Sequence, residues 1–312
     1  MQVAGCAGAA RTSAMSDKRG AWAARSVPCA SVQERPLCKS GCAGGAHLVA
    51  LSAMAERPLI LVSNDDGVNA EGNIVLREAL AEWADVVTVA PLHEQSGQSH
   101  AISLHRPLRH RQLDERTHAI DGTPVDCVYV ALFREDLLPR RPDMVVSGIN
   151  HGPNLGADVH YSGTVAAARE GALRGIPAIA FSALGGLAAL APAATHASAL
   201  ARRAFEATHP EGRPLLLNVN IPTEVRGIRA TRLGHRQYSE GVDVRKDPRG
   251  GDYYWIGGPG GVKHPPMDHA DTAAVDAGFI SITPLSLRAT NADHLAFASW
   301  VAGDAPASTP EP

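Results

Sequence analysis

The sequence predicts an α/β fold in which a mostly parallel sheet is flanked by helices. Short apolar segments of strand length alternate with longer segments whose apolar residues recur at helical spacing. This alternation is typical of βαβ units, whose crossover helices cover a parallel sheet. From about residue 234 it gives way to a stretch dense in glycine, proline, charged and aromatic residues, before one last apolar segment. We therefore expect an extended hairpin arm near the C-terminal end of the domain.

The individual elements follow in order from residue 59. Strands are predicted at residues 59–63, 85–91, 142–148, 176–182, 214–222 and 278–285, and helices at 72–84, 123–133, 162–175 and 194–208. The helix at 123–133 has the clearest start, because Thr123 fits an N-cap, Pro124 the first helical position and Asp126 the first turn. Between residues 234 and 266 the alternation fails, which predicts the arm.

The composition excludes several classes of partner. The chain has 312 residues, of which 45% are hydrophobic, 20% charged and 4% aromatic, with a net charge of −3. So few aromatic residues and no excess of positive charge argue against a nucleic-acid polymer as a partner. No apolar run approaches the ~20 residues that span a bilayer, so we expect no membrane contact. One cysteine in the main body, Cys127, excludes a disulfide scaffold there and fits a cytoplasmic protein.

The first 55 residues differ from the rest of the chain. They are rich in Ala, Gly, Ser, Cys and Arg, poor in acidic residues and without sustained periodicity. Three interpretations are open: a transit-like peptide, a disordered tail, or an over-extended start before a functional Met54. We favour the last, because a natural first strand begins soon after Met54. The expected organisation is a disordered or mis-assigned extension at 1–55, the α/β domain at 56–303 and a disordered tail at 304–312.

Two adjacent aspartates, Asp65 and Asp66, follow the first predicted strand in the segment LILVSNDDGVNAEG. At an effective dielectric constant of ~20, two carboxylates ~5 Å apart repel by roughly 3 kcal/mol, so their charges need compensation. A hard divalent cation such as Mg²⁺ or Mn²⁺ would provide it. An Asx turn, in which each aspartate accepts backbone N–H groups before Gly67, explains the pair equally well. Taken alone, the segment leaves both interpretations open.

Two other polar segments favour the cation. Ser96 lies in PLHEQSGQS after the second predicted strand, and Asn150 lies in SGINHGPNLG after a later one. The carboxyl ends of parallel strands share one edge of an open sheet, and ligands bind along that edge. We therefore expect Asp65, Asp66, Ser96 and Asn150 to converge on an all-oxygen site with open positions for water and a substrate oxygen.

Ser162, Gly163 and Thr164 stand where a helix is predicted to begin. The unpaired amides of a first helical turn and the positive end of the helix dipole bind anions. A plain Ser N-cap explains an isolated SGT as well, but beside a cation site phosphate is the natural ligand. A cation and an anion-binding turn together predict metal-assisted attack on a phosphoryl group.

Several segments together resemble the SurE family of metal-dependent nucleotidases: ILVSNDDGVNAEG, VAPLHEQSGQS, GTPVDCV, VVSGINHGPNLG, YSGTVAAAREGALRGIPAIAFS and GFISITPL. The likeness runs from about residue 59 to about residue 285, in the same order. It implies a Rossmann-like α/β core that hydrolyses nucleoside 5′- and 3′-monophosphates and, in some members, short-chain polyphosphate. It also implies that residues 234–266 form the family's arm, through which we expect a homodimer or homotetramer.

The resemblance implies one divalent metal cation per subunit, Mg²⁺ or Mn²⁺, and assigns its ligands. These would be Asp65, Asp66, Ser96 and Asn150, while Ser162, Gly163 and Thr164 look like the family's phosphate-binding turn. For the mechanism we expect in-line attack by a water that the cation activates. We expect Asp66 to orient or deprotonate this water, Asp65 to anchor the cation, and Asn64 to add a hydrogen bond to phosphate.

Two other classes of protein are alternatives. A receiver-like signalling domain also has an acidic pair after its first strand, but its phospho-accepting Asp and its Lys have no counterpart here, since the corresponding strand ends in SGIN. A non-catalytic nucleotide-binding module could use the same cation and the same anion-binding turn. A phosphate-release assay separates binding from turnover.

Overall fold

The computed structural model describes residues 57–207, 215–239, 241–257 and 261–303. The strands are β1 (Leu59–Ser63), β2 (Asp85–Pro91), β3 (His110–Gln112), β4 (Thr117–Ile120), β5 (Met144–His151), β6 (Ala178–Ala183), β7 (Leu216–Ile221), β8 (Gly227–Ala230), β9 (Val242–Lys246), β10 (Asp252–Ile256) and β11 (Phe279–Pro284). The helices are α1 (Glu71–Ala81), α2 (Pro124–Phe133), α3 (Gly163–Leu173), α4 (Leu190–Glu206), α5 (Asp271–Asp276) and α6 (Leu295–Val301). Short 3₁₀ turns lie at Gly156–His160, Leu187–Ala189 and Ala292–His294.

The central sheet confirms the predicted fold class. Its nine strands have the order β3-β4-β2-β1-β5-β6-β7-β11-β8, and the neighbours are parallel except for the pairs β3–β4 and β7–β11. β9 and β10 form a separate antiparallel sheet of two strands, which is the predicted hairpin arm. The predicted extension at 1–55 and the tail at 304–312 lie outside the described residues.

β1 lies in the middle of the sheet and is covered on both faces. All five of its residues are buried. Ile60 and Val62 belong to the apolar cluster under α1 and α4, whereas Leu59 and Leu61 belong to the cluster under α2 and α3. Each buried side chain of this size contributes ~1.5–3 kcal/mol, so β1 is held firmly from both sides. The chain that leaves β1 therefore starts from a fixed point.

α2 begins where the sequence predicts. Thr123 Oγ1 accepts a hydrogen bond from the backbone N–H of Asp126 at 3.1 Å, and Asp126 Oδ2 accepts one from the backbone N–H of Thr123 at 2.9 Å. Pro124 follows the cap directly. This reciprocal pair is a capping box, which satisfies two backbone donors at the start of the helix.

β5 is longer than predicted. It continues to His151 instead of ending at residue 148, so Asn150 lies within the strand rather than after it. Its register against β6 shifts between Ser147 and Asn150, and Gly148 has a φ of 126°. The irregularity interrupts the apolar pattern that marked the strand, because a bulge with glycine changes which side chains face the core.

Some elements and boundaries are not predicted by the sequence patterns. β3, β4, β8, α5 and α6 are absent from the predicted elements, and α1 ends at Ala81 rather than at residue 84. α4 begins at Leu190 rather than at residue 194. The missed strands have three or four residues and the missed helices six or seven, which is shorter than the window that periodicity needs. None of the helices in the described ranges is both long and apolar enough to cross a bilayer.

Candidate active site

The residues predicted to form the site follow strands at one edge of the sheet. β1, β2 and β5 are parallel neighbours, so their carboxyl ends lie together. Asp65 and Asp66 follow β1, Ser96 lies in the loop that follows β2, and Asn150 lies in the last part of β5. The topology thus places all four at the same edge, and the side-chain contacts show how closely each approaches the others.

Asp65 is packed against the N-terminus of α3. Its side chain is buried, and Thr164 Oγ1 donates a hydrogen bond of 2.5 Å to Asp65 Oδ1. A Cβ on Gly163 would lie 2.7 Å from the Cβ of Asp65, closer than such atoms approach, so only glycine fits at this position. The structure therefore brings together Asp65, Gly163 and Thr164, which stand almost 100 residues apart in the sequence.

Asp66 faces the end of β5. Its Oδ2 accepts a hydrogen bond of 3.3 Å from the backbone N–H of His151, the residue after Asn150. The loop after β2 approaches the same place from the other side, because the backbone N–H of Gln95 donates to the carbonyl oxygen of Asp65 at 2.8 Å. The segments of the acidic pair, of Ser96 and of Asn150 are thus in direct contact.

The side chains of Ser96 and Asn150 contact other groups than the aspartates. Ser96 is exposed and its Oγ donates to Glu94 Oε1 at 2.9 Å. Asn150 Nδ2 donates to the carbonyl oxygen of Gly152 at 2.7 Å. In each case the hydrogen bond to the acidic pair comes from the adjacent residue's backbone. The convergence of these two side chains on one ion stays a prediction.

Asn64, rather than either aspartate, closes the turn after β1. It is fully buried, and its Nδ2 donates to the carbonyl oxygen of Gly67 at 2.8 Å. Gly67 has a φ of 105°, which favours glycine there. Among the described residues, Asn64 Oδ1 has no hydrogen-bond partner although it is buried. The Asx-type hydrogen bond of this turn is thus made by Asn64, while the carboxylates of Asp65 and Asp66 accept hydrogen bonds from α3 and from the end of β5.

Both carboxylates are more easily protonated than usual. Burial raises the pKa of Asp65 to about 6, with the charge of Asp66 adding to the effect and the hydrogen bond from Thr164 opposing it. Burial also raises the pKa of Asp66, and the neighbouring charge of Glu94 raises it further. One buried and one half-buried carboxylate, neither paired with an Arg or Lys among the described residues, fit a site for a cation, because positive charge would favour their ionised forms.

The donor set fits a hard cation. Among the described residues, no three or more His, Cys, Asp and Glu side chains cluster as they would to hold a metal ion on their own, which excludes a zinc site built from such ligands there. The edge offers instead two carboxylates, with a hydroxyl and an amide in the adjoining segments. Oxygen donors of this kind, together with water, are what Mg²⁺ and Mn²⁺ prefer.

Ser162 is the N-cap of α3, and its Oγ accepts a hydrogen bond of 3.1 Å from the backbone N–H of Val165. The plain Ser N-cap is therefore confirmed, whereas phosphate binding by this turn stays a prediction. The turn does face a carboxylate, that of Asp65, and the backbone N–H of Thr164 lowers the pKa of Asp65 and so interacts with its ionised form.

Sequence reasoning missed a buried polar network behind the site. Asn218 and Asn220 of β7 each donate an Nδ2 hydrogen bond to the carbonyl oxygen of Asn154, at 2.8 and 3.0 Å, and Asn220 Oδ1 accepts from the backbone N–H of Asn154 at 2.8 Å. Asn154 Nδ2 donates to Ser182 Oγ at 2.8 Å. These bonds tie the loop after β5 to the sheet. The sequence does contain a signal for this network: two asparagines at alternate positions of an apolar strand lie on the same face, and buried amides need hydrogen-bond partners.

Comparison with known proteins gives one consistent answer. A family model described as Survival protein SurE matches residues 60–240. A protein of Sorangium cellulosum named 5'-nucleotidase SurE is 54% identical over 252 residues, which cover 80% of this chain and 97% of that protein. The protein of the same name from Aeromonas hydrophila is 46% identical over 253 residues, covering 78% of this chain and 98% of that protein.

A solved structure agrees with the sequence relatives. The crystal structure of the SurE protein from Aquifex aeolicus matches with a TM-score of 0.69 and 39% identity, covering 78% of this chain and all of that one. Neither a receiver-like domain nor a non-catalytic binding module is favoured by these relatives. Because the family model matches more than half of the chain and the relatives are covered over almost their whole length, the chain belongs to the SurE family.

Proposed function

We propose that this chain is a metal-dependent 5′-nucleotidase, which hydrolyses nucleoside 5′-monophosphates, and also 3′-monophosphates, to nucleoside and phosphate. The observation that carries the proposal is the contact between Asp65 and the first turn of α3, through Thr164 and Gly163. It supports the proposal because the carboxylate that would bind the cation lies directly beside the turn that would bind phosphate. The relatives from Sorangium and Aeromonas bear the name of the same activity.

One divalent cation, Mg²⁺ or Mn²⁺, would be held by the two aspartates with Ser96 and Asn150. The raised pKa values of Asp65 and Asp66 support this assignment, because burial disfavours the ionised carboxylates and a bound cation would favour them. When bound, such a cation supplies positive charge beside the phosphoryl oxygens and lowers the pKa of a nearby water. Asp65, the more buried of the two, is the residue that would anchor it.

The phosphate of the substrate would lie at the first turn of α3. Ser162, Gly163 and Thr164 are buried and rigid there, because Ser162 caps the helix and Thr164 is held by Asp65. Backbone N–H groups at a helix N-terminus stabilise the charge of phosphoryl oxygens in the transition state. Asn64 would add a hydrogen bond from the turn after β1.

Asp66 is the leading candidate for the general base. It is less buried than Asp65 and faces the end of β5, where a water can reach it. Asp66 would take a proton from the attacking water as the new oxygen–phosphorus bond forms. The bond from phosphorus to the nucleoside oxygen breaks, and the leaving oxygen, on the opposite side of the phosphorus, takes a proton from solvent water. Asp66 then returns its own proton to solvent. A raised pKa brings a carboxylate closer to the range in which a base works at neutral pH.

Short-chain polyphosphate is a further proposed substrate, because it presents the same terminal phosphoryl group without a nucleoside.

We also propose a cytoplasmic location, in line with the single cysteine of the domain, Cys127, which is a free thiol and fully buried. Burial raises the pKa of its thiol well above the usual value, so Cys127 is not a reactive nucleophile.

We propose that the arm at residues 234–266 joins subunits into a homodimer or homotetramer. All residues of β9 and β10 are exposed, and the large apolar ones include Val242, Val244, Tyr254, Trp255 and Ile256. A two-stranded hairpin with its apolar side chains in water is marginally stable by itself. A second copy of the chain would bury these side chains.

A phosphate-release assay tests the proposed function. The full chain is given a panel of 5′- and 3′-nucleoside monophosphates and tripolyphosphate, with Mg²⁺ or Mn²⁺ and then with a chelator. We expect release of phosphate from the nucleotides that the chelator abolishes and added metal restores. Tight binding of nucleotide without release would identify a non-catalytic binding module instead.

A further inference from the structure

The beginning of the arm contacts the loop that leads into the phosphate-binding turn. We call residues 234–238 the arm base and residues 152–162 the site loop. The two segments lie side by side, since a Cβ on Gly156 would lie 2.6 Å from the carbonyl oxygen of Gly234. Asp271 joins them as well: its Oδ2 accepts the backbone N–H of Gly156 at 3.0 Å and its Oδ1 that of Gly234 at 2.7 Å.

The strongest contact between the segments is made at Asp158. Arg236 Nη1 and the phenol of Tyr238 both donate hydrogen bonds to Asp158 Oδ2, the latter at 2.7 Å. The side chains of Arg236 and Asp158 are only 15% and 16% exposed, so this ion pair is little screened by water. Burial and the bond to Asp158 raise the pKa of Tyr238 to about 12, which keeps the phenol a donor.

The backbone of Asp158 contacts the residues that lead into α3. Its carbonyl oxygen accepts the backbone N–H groups of Tyr161 at 2.9 Å and Ser162 at 3.0 Å. Ser162 is the N-cap of α3, and Thr164, two residues on, holds Asp65. Asp158 therefore contacts the arm base through its side chain and holds the backbone of Ser162, the first residue of the proposed phosphate-binding turn, through its carbonyl oxygen.

The other half of the site loop is held by the sheet. Asn218 and Asn220 bind the backbone of Asn154, and these bonds do not involve the arm. Residues 156–162 have no comparable bonds to β7 among the described contacts. The half of the loop that carries Asp158 and Ser162 is therefore held by the arm base, together with Ser99, which donates hydrogen bonds to the carbonyl oxygens of His160 and Tyr161.

We propose that Arg236 and Tyr238 are positioning residues for phosphate binding: acting through Asp158, they hold the N-terminal turn of α3 in the geometry that accepts a phosphoryl group. They do not touch the substrate themselves. The inference rests on the proposed function of Ser162, Gly163 and Thr164 as the phosphate-binding turn. It makes the arm base a part of substrate binding within the same subunit, in addition to the role of the arm in assembly.

The affinity for inorganic phosphate tests this inference directly. Phosphate binding to the Mn²⁺-loaded full chain is measured by calorimetry, and as competitive inhibition of nucleotide hydrolysis. Arg236→Met removes the donor and the charge but keeps most of the volume. We expect its Kd for phosphate and its KM for nucleotide to rise about tenfold, the usual loss for one hydrogen bond to a charged group.

A matched control is Arg134→Met. Arg134 also pairs with an aspartate, Asp136, but both side chains are exposed and the pair lies at the end of α2. We expect Kd and KM unchanged in this variant. A purely structural role of Arg236 would lower the melting temperature and the fraction of active protein, and hence the apparent kcat, without changing Kd or KM; that result would overturn the inference.

Tyr238→Phe provides a second test should Arg236→Met not fold. It removes one oxygen atom, and we expect Kd to rise about threefold to fivefold. An unchanged Kd in a folded Tyr238→Phe protein contradicts the inference. If the wild-type chain binds phosphate but releases none from nucleotides, the proposed function fails while the positioning role is still decided by the Kd values.

Discussion

The sheet edge around Asp65 and the hairpin of β9 and β10 are built in opposite ways. At the sheet edge, all residues of β1 are buried and the strand pairs with β2 on one side and β5 on the other. In the hairpin every residue is exposed, and the two strands pair with each other. Phe181, close to the site edge, is fully buried, whereas Ile256 in the hairpin is 95% exposed.

This difference separates what the chain does by itself from what it does with a partner. The described contacts at the sheet edge, between the segments of Asp65, Asp66, Ser96 and Asn150, all lie within one chain. The hairpin has regular strand pairing but no core, and its apolar side chains have no described surface to pack against. Substitutions in the two regions should therefore change different measured quantities.

The largest expected effect is on catalysis at the sheet edge. Asp65→Asn removes the charge that would anchor the cation but keeps the shape and the acceptor for Thr164. We expect activity with saturating Mn²⁺ to fall by on the order of 10³-fold, at the upper end of what single charge-stabilising groups contribute. The melting temperature in chelator should stay the same or rise, because a buried carboxylate has become a neutral amide.

The surface aspartate Asp136, which pairs with Arg134, supplies the control for this prediction. Asp136→Asn should keep full activity. Wild-type rates in Asp65→Asn with saturating Mn²⁺ would show that Asp65 is not a metal ligand. The sheet edge around Asp65 would then not be the catalytic region of the molecule.

A pair of large-to-small substitutions tests the structural half of the comparison. Phe181→Ala should lower the free energy of unfolding by ~3–5 kcal/mol, because Phe181 is fully buried under α1 and α4. Trp255→Ala should change it by less than about 0.5 kcal/mol in the dissociated subunit, since Trp255 is 62% exposed. Urea unfolding at low protein concentration measures both.

Trp255→Ala should instead weaken self-association, which sedimentation at several concentrations measures. If Trp255→Ala destabilised the dissociated subunit as strongly as Phe181→Ala, the hairpin would have a core of its own. An unchanged oligomer mass in Trp255→Ala and Ile256→Ala together would remove the hairpin from the proposed interface.

The pH dependence of stability isolates the charge at the sheet edge. The pKa of Asp65 is about 6 in the folded chain and 3.8 when unperturbed, so the folded state holds this proton more tightly. In chelator, the stability that the proton contributes is full below pH 3.8 and is lost as the pH rises through about 6. The loss is up to ~3 kcal/mol.

Urea unfolding at pH 5 and pH 8 measures about half of this loss, the part that falls between these pH values, with Asp65→Asn as the reference that cannot titrate at this position. We expect the wild type to lose more stability than the variant between these pH values in chelator. Saturating Mn²⁺ should remove the difference, because the cation favours the ionised carboxylate. A wild type that tracks the variant at both pH values would mean that burial does not perturb Asp65.

The comparison also separates what the sequence can predict from what it cannot. Thr123, Pro124 and Asp126 marked the start of α2 correctly, because a capping box is a local signal. The placement of Asp65 at the sheet edge followed from strand order alone. The contact of Asp65 with Gly163 could not be predicted, since it depends on how α3 packs against β1.

Asn150 shows the other kind of limit. The sequence predicts it in a loop, but β5 continues past it through a register shift that no periodic pattern reveals. Asn218 and Asn220 were visible as polar residues in an apolar strand, but their partner, the backbone of Asn154, is set by the tertiary fold. Signals within about one turn or one strand were readable, whereas contacts between distant segments were not.

The smallest expected effect compares two side chains that accept backbone N–H groups, one in each region. At the buried start of α2, Thr123 Oγ1 accepts the backbone N–H of Asp126 at 3.1 Å. In the turn of the hairpin, Asp247 Oδ1 accepts the backbone N–H groups of Arg249 and Gly251, each at 2.8 Å. Thr123→Ala should lower the free energy of unfolding by ~1 kcal/mol, the usual value for a helix cap. Asp247→Ala should leave the free energy of unfolding of the dissociated subunit unchanged, because the hairpin opens without the sheet. It should speed amide exchange in β9 and β10 only.

Hydrogen exchange resolved by peptide distinguishes the two variants, since Thr123→Ala acts on α2 and on the sheet that unfolds with it. Faster exchange across β1 in Asp247→Ala would show that hairpin and sheet unfold as one unit, and would end the contrast between the two regions.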